Sequence, residues 1–121
     1  MFQNAHNGFT DNSQTGVFQV TSNTAWKNEG GFGFFFKTAA GSTLTKDISV
    51  NNGGGATSLV GVTNTNNSWN SGTWRDASFV STDSAILKGP RLANGSVVAN
   101  SFLLPASTAP TPTIGTRIWG V

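Results

Sequence analysis

The sharpest hydrophobic pattern in the chain lies at residues 31–38, where Phe32, Phe34 and Phe36 alternate with Gly31, Gly33 and Phe35. Alternation at period two places the three rings on one face of an extended strand. A row of rings that large belongs in a core, and the glycines opposite leave room for a neighbouring backbone or mark a bulge. Beyond a short Ala/Gly/Ser turn, Leu44, Ile48 and Val50 share one side, against Thr45, Asp47 and Ser49 on the other. Lys46 interrupts the apolar side as an edge or snorkelling residue. The two segments together predict a β-hairpin.

Further strands are predicted at 16–21, 57–62, 73–80, 84–88 and 96–104, joined by connections rich in Gly, Asn and Ser. Asn51 to Gly55 and Asn94-Gly95 are turn chemistry, since Asn and Gly tolerate positive φ. Residues 63–72 are the most polar stretch and carry Trp69. No eleven-residue window combines helical periodicity with good helix formers. No internal repeat stands out that would argue for a solenoid.

The expected fold class is therefore all-β, a small antiparallel sandwich or jelly-roll-like module with extended N- and C-terminal arms. Residues 1–15 are expected to form an N-terminal arm and 16–104 the β-sandwich core. A Pro-rich spacer over 105–113 favours extended polyproline geometry and leads to a C-terminal strand at 114–121. That strand either closes its own sheet or is donated to a neighbour.

Composition narrows the function. The 121 residues make one domain, whose small core rests on nine Phe and four Trp, with no Cys to form disulfides. Only 10% of residues are charged, for a net charge of +2. The seven Lys and Arg stand singly along the chain, whereas a phosphate-tracking surface needs them clustered. Nucleic acid is therefore not an expected partner. No cationic leader with an apolar stretch follows Met1, and nothing approaches a membrane span.

Recognisable catalytic chemistry is sparse. His6 is the only histidine and lies in the expected arm. One His and no Cys leave no zinc, haem or iron–sulfur pattern, and a hydrolytic triad would have to use an imidazole in the least patterned segment. The carboxylates Asp11, Glu29, Asp47, Asp76 and Asp83 are scattered, with no calcium-loop spacing. The Gly-rich stretches at 30–33 and 52–55 lack the flanks of a nucleotide loop. The sequence thus predicts no catalytic residue, no cofactor and no metal.

What remains favours a non-enzymatic, self-associating structural protein, a viral or phage particle component such as a capsid, decoration or fibre protein. A neutral amide- and hydroxyl-rich surface can be tiled without like-charge repulsion, and extended termini can clasp neighbours. The composition is similar to that of virion and phage structural proteins. The expected interface residues are Phe2, Phe9, Ile114, Arg117, Ile118 and Trp119, the expected partners copies of the chain or other particle subunits, and the expected location a virion or extracellular assembly. A second reading is a secreted carbohydrate-binding or adhesion module. It would use Asn67, Trp69, Asn70, Trp74 and Asp76, with tryptophan faces for sugar C–H groups and amides for hydroxyls.

Overall fold

A computed structural model of the chain describes residues 1–116, and every structural statement below concerns these. The protein is all-β with eight short strands: β1 (Phe9–Thr10), β2 (Gln19–Thr21), β3 (Thr24–Trp26), β4 (Phe32–Phe36), β5 (Thr43–Thr45), β6 (Ile48–Val50), β7 (Gly55–Leu59) and β8 (Thr63–Thr65). Every ladder between them is parallel. The sheets run β1-β4-β7, β2-β5-β8 and β3-β6. Each strand pairs with the strands three before and three after it, never with its neighbour in sequence. The chain therefore visits three sheets in turn and returns one level higher, roughly 4.8 Å along the stack. Side-chain bonds joining successive levels span 24 residues from 4 to 28, 28 to 52 and 23 to 47, and 20 from 47 to 67 after β8.

This arrangement corrects the antiparallel sandwich or jelly roll, and with it the hairpin of 31–38 on 43–50. Strand β4 pairs with β1 and β7, through Phe34↔Phe9 and Phe34↔Thr57, while β5 pairs with β2 and β8. Alternation determines which way a side chain faces, but it is silent on which strand lies alongside. The internal repeat not seen in the sequence is present as conformation. Gln3, Lys27 and Asn51 all have left-handed backbone, with φ of 54°, 53° and 54°. Ser22, Lys46 and Asn66 repeat it at a second corner, with φ of 59°, 60° and 56°. Each of these residues turns the chain, and each is followed by a short amide or carboxylate side chain: Asn4, Asn28 and Asn52 at one corner, Asn23, Asp47 and Asn67 at the other.

The strand faces sort the apolar residues into two clusters. Inside the coil, Ala25, Phe34, Phe36, Ala39 and Leu44 are buried, with Phe9, Val20, Leu59, Val62 and Trp69 against them. Phe9 stacks on its register partner Phe34 at 4.9 Å and 11°, so successive levels pile ring on ring. On the other face of β3 and β6, Trp26, Ile48 and Val50 meet Phe79, Phe102, Leu103 and Ile114. The chain beyond β8 thus folds back as a cover over the β3–β6 sheet.

That cover is irregular. The strand expected at 73–80 is a 3-10 turn at Asp76–Ser78, and the one at 84–88 is a 3-10 turn at Ser84–Lys88. The strand expected at 96–104 makes only isolated bridges, Ser81↔Phe102 and, just beyond it, Phe79↔Pro105. These segments bury apolar residues against the β3–β6 sheet without extending any of the three sheets.

At the two ends of the chain, β1 lies within the first fifteen residues and Phe2 bridges to Trp26. Ile114 is 1% exposed in the outer cluster, and Gly115 donates its N–H to Lys46 O at 2.7 Å. The remainder of the expected C-terminal strand, 117–121, lies outside the described residues.

Candidate functional site: a polar corner above two amide ladders

The residues after the left-handed corners form hydrogen-bonded columns. The Asn4 backbone N–H and Nδ2 both donate to Asn28 Oδ1, at 3.1 and 2.9 Å. Asn28 repeats the pattern on Asn52 Oδ1, at 3.0 and 2.8 Å. Asn52 Nδ2 closes the column on Ala25 O and Ser49 Oγ. At the second corner, Asn23 donates from N–H and Nδ2 to Asp47 Oδ1, at 2.8 and 3.1 Å. Asp47 N–H donates to Asn67 Oδ1 at 2.8 Å, and Asn67 Nδ2 ends on Leu44 O. The ladders satisfy polar groups that the turns bury, which is their structural purpose.

The first corner carries its outward groups on the same residues that turn it. The Lys27 ammonium stands 5.6 Å from the centre of the Trp26 ring, close enough for a cation–π attraction. Trp26 Nε1 donates to Asp76 Oδ1 at 2.8 Å, and Asn51 Nδ2 donates to the same oxygen at 2.6 Å. Asp76 and its neighbour Arg75 are exposed. A carboxylate held by two donors, an amide and one cationic side chain therefore meet at one solvent-facing corner, on the buried Trp26. Such a set can pair with an anionic group and hydrogen-bond hydroxyls.

A third carboxylate is structural. Asp11, 3% exposed, accepts N–H bonds at Oδ2 from Lys37, Thr38 and Ala39, at 2.8, 2.8 and 3.1 Å, and at Oδ1 from Ser13. Burial alone would raise its pKa, but these donors outweigh burial and hold the carboxyl below its ordinary value. A hollow of about 870 Å³ opens below the first turn of the coil, lined in part by Met1, Phe2, Phe9, Phe102 and Leu103. The Met1 ammonium donates to Thr24 O there at 2.8 Å, and burial lowers its pKa.

The five residues expected to bind a glycan fall into three places. Asn67 is buried in the ladder, Asn70 Oδ1 accepts its N–H, and Trp69 lies 5.2 Å from Phe34 with Nε1 on Asn64 Oδ1. Trp74 packs on Phe79 at 6.2 Å with a buried, unpartnered Nε1. Asp76 alone reaches the polar corner. Of the expected interface residues, Phe2, Phe9 and Ile114 pack on the chain's own clusters, and Arg117, Ile118 and Trp119 lie outside the described residues. Lys27, Asn51 and the ladder residues other than Asn67 were not among the expected site residues. The recurrence of Asn at 4, 28 and 52 was the available signal.

No protein-family model and no solved structure matches the chain. Among curated proteins, pectate lyase PEL9 of Emericella nidulans is 48% identical over 107 residues, which is 87% of this chain and 26% of that protein. The chain thus spans about a quarter of the length of the relative it matches. This likeness corrects the expectation of a non-enzymatic virion, capsid or bacteriophage component, since the protein that shares nearly half of these residues is an enzyme. The amide-rich composition read as a tiled particle surface is in good part the ladder Asn and the turn residues of the coil.

Proposed function

We propose that the chain forms part of the parallel β-helix of a carbohydrate-active enzyme directed at pectate, and that its Lys27–Asn51–Asp76 corner takes part in holding the polyuronate. The observation that carries this reading is the 48% identity to a pectate lyase over 107 residues. The geometry supports it. A stacked coil presents equivalent positions level upon level, which suits an extended polymer. Pectate carries a carboxylate on each sugar, and Lys27 supplies a cation on the same Trp26 that Asp76 and Asn51 flank, groups that suit hydroxyls. The second sequence reading, a secreted protein that engages glycans, fits this proposal in its broader terms, because pectate is an extracellular polymer. The residues differ, with Asp76 common to both.

Titration of the full chain with polygalacturonate, with dextran as the neutral control, tests the reading. Selective binding to the acidic polymer is expected, weakened about 5–10-fold in Lys27→Ala and by raised salt. Equal affinity for both polymers, or none for either, would sink it.

A further inference from the structure

The six residues that follow the left-handed corners are equivalent by conformation, and five of them are Asn. Asp47 is the exception. In the first ladder the middle residue, Asn28, receives two bonds on Oδ1 from below and donates two upward, from its backbone N–H and its Nδ2. Asp47, the middle residue of the second ladder, receives the same two bonds on Oδ1 from Asn23. It donates upward from its backbone N–H to Asn67 Oδ1. The fourth bond is missing because Oδ2 stands where Asn28 carries its NH₂. That Oδ2 is fully buried and without a partner, in a residue 0% exposed.

We infer that in mildly acidic solution Asp47 is carried in the folded protein as a neutral carboxylic acid, an asparagine mimic whose Oδ2–H donates to Asn67 Oδ1 and completes the second ladder. An ionised Asp47 would leave a buried carboxylate oxygen with no hydrogen-bond donor. The elements around it offer no compensating charge among the described residues. Asn23 and Thr24 below, Thr43–Thr45 beside, Asn66–Asn70 above and Ile114–Thr116 outside are all uncharged. Lys46, its neighbour in sequence, is exposed and forms the turn. Burial, opposed only in part by the Asn23 and Thr45 donors, pushes the carboxyl up to about 6.

The consequence is a proton-dependent clamp. A carboxyl whose pKa is raised by folding stabilises the fold fully below its unfolded value, about 3.9. That contribution fades as pH rises through about 6 and is lost above it.

Thermal unfolding of the whole chain and of Asp47→Asn between pH 5 and 8 tests this, since ionisations elsewhere are common to both proteins. The wild-type midpoint is expected to fall by about 5 °C or more across that range. Asp47→Asn, which restores an N–H donor, is expected to be flat by comparison and the more stable of the two at pH 8. Equal pH dependence in both proteins, or a variant less stable at pH 8, would overturn the inference. If the variant fails to fold, carboxyl carbon NMR of the wild type decides. A titration midpoint near 6 supports the neutral acid, and one near the ordinary aspartate value rejects it.

Discussion

Two buried aspartates stand in opposite electrostatic settings, and the difference lies in what their oxygens meet. Asp11 Oδ2 faces three backbone N–H groups, so its charge is solvated by the protein. Asp47 has one oxygen on the two Asn23 donors and the other buried without a hydrogen-bond partner. The folded pKa of Asp11 is depressed, so its stabilising contribution is present above the ordinary aspartate value and is lost as pH falls below it. Asp11→Ala is expected to lower unfolding stability by about 1–3 kcal/mol at pH 7. The deficit should shrink as pH is taken below about 4, which urea titrations at pH 7 and pH 3 would show. A constant deficit at both pH values would mean that the carboxylate charge is irrelevant. Neither setting was legible in the sequence, because the donors to Asp11 come from residues 26–28 positions away.

At the scale of the element, the coil depends on corners that bend the chain with one left-handed residue and then tie it with the next. Lys27 and Lys46 hold φ of 53° and 60°, a conformation costing an ordinary residue roughly 1 kcal/mol. A β-branched side chain tolerates it least. Lys46→Val is therefore expected to destabilise by about 1–2 kcal/mol while Lys46→Gly stays within about 1 kcal/mol of wild type. Chemical denaturation of the pair measures this, and equal loss in both would show that the lysine side chain matters instead of the backbone. The strand at Phe32–Phe36 was legible because alternation is a local signal. The strand expected over 43–50 instead breaks at the left-handed Lys46 into β5 and β6, with Leu44 inside the coil and Ile48 and Val50 in the outer cluster. The turns at Asn51 and at Asn94-Gly95 were legible too, through Asn and Gly. The equivalence of the coil's corners was hidden, because Gln, Lys, Asn and Ser all occupy the left-handed position, so the repeat conserves geometry and not residue identity.

At the scale of the molecule, the coil and its cover are one packing unit. Phe102, 0% exposed, meets Phe2 edge-on at 4.9 Å and Trp26 at 6.0 Å, joining the far part of the chain to the first two levels of the coil. Phe102→Ala is expected to cost about 3–5 kcal/mol and to shift a single cooperative transition, followed by tryptophan fluorescence and circular dichroism together. Two separated transitions would show the cover melting from a coil that stands alone. The sequence by itself determined that the protein is built of strands and turns and that Phe34 and Phe36 are core. Those properties follow from local periodicity and composition. Only the tertiary structure decided that the strands pair in parallel about 24 residues apart, that the Asn form ladders, and that Lys27, Asn51 and Asp76 share a corner. A strand's face is a property of its own residues. Its partner is chosen by everything that closes the turn of the coil, and no short window of sequence contains that.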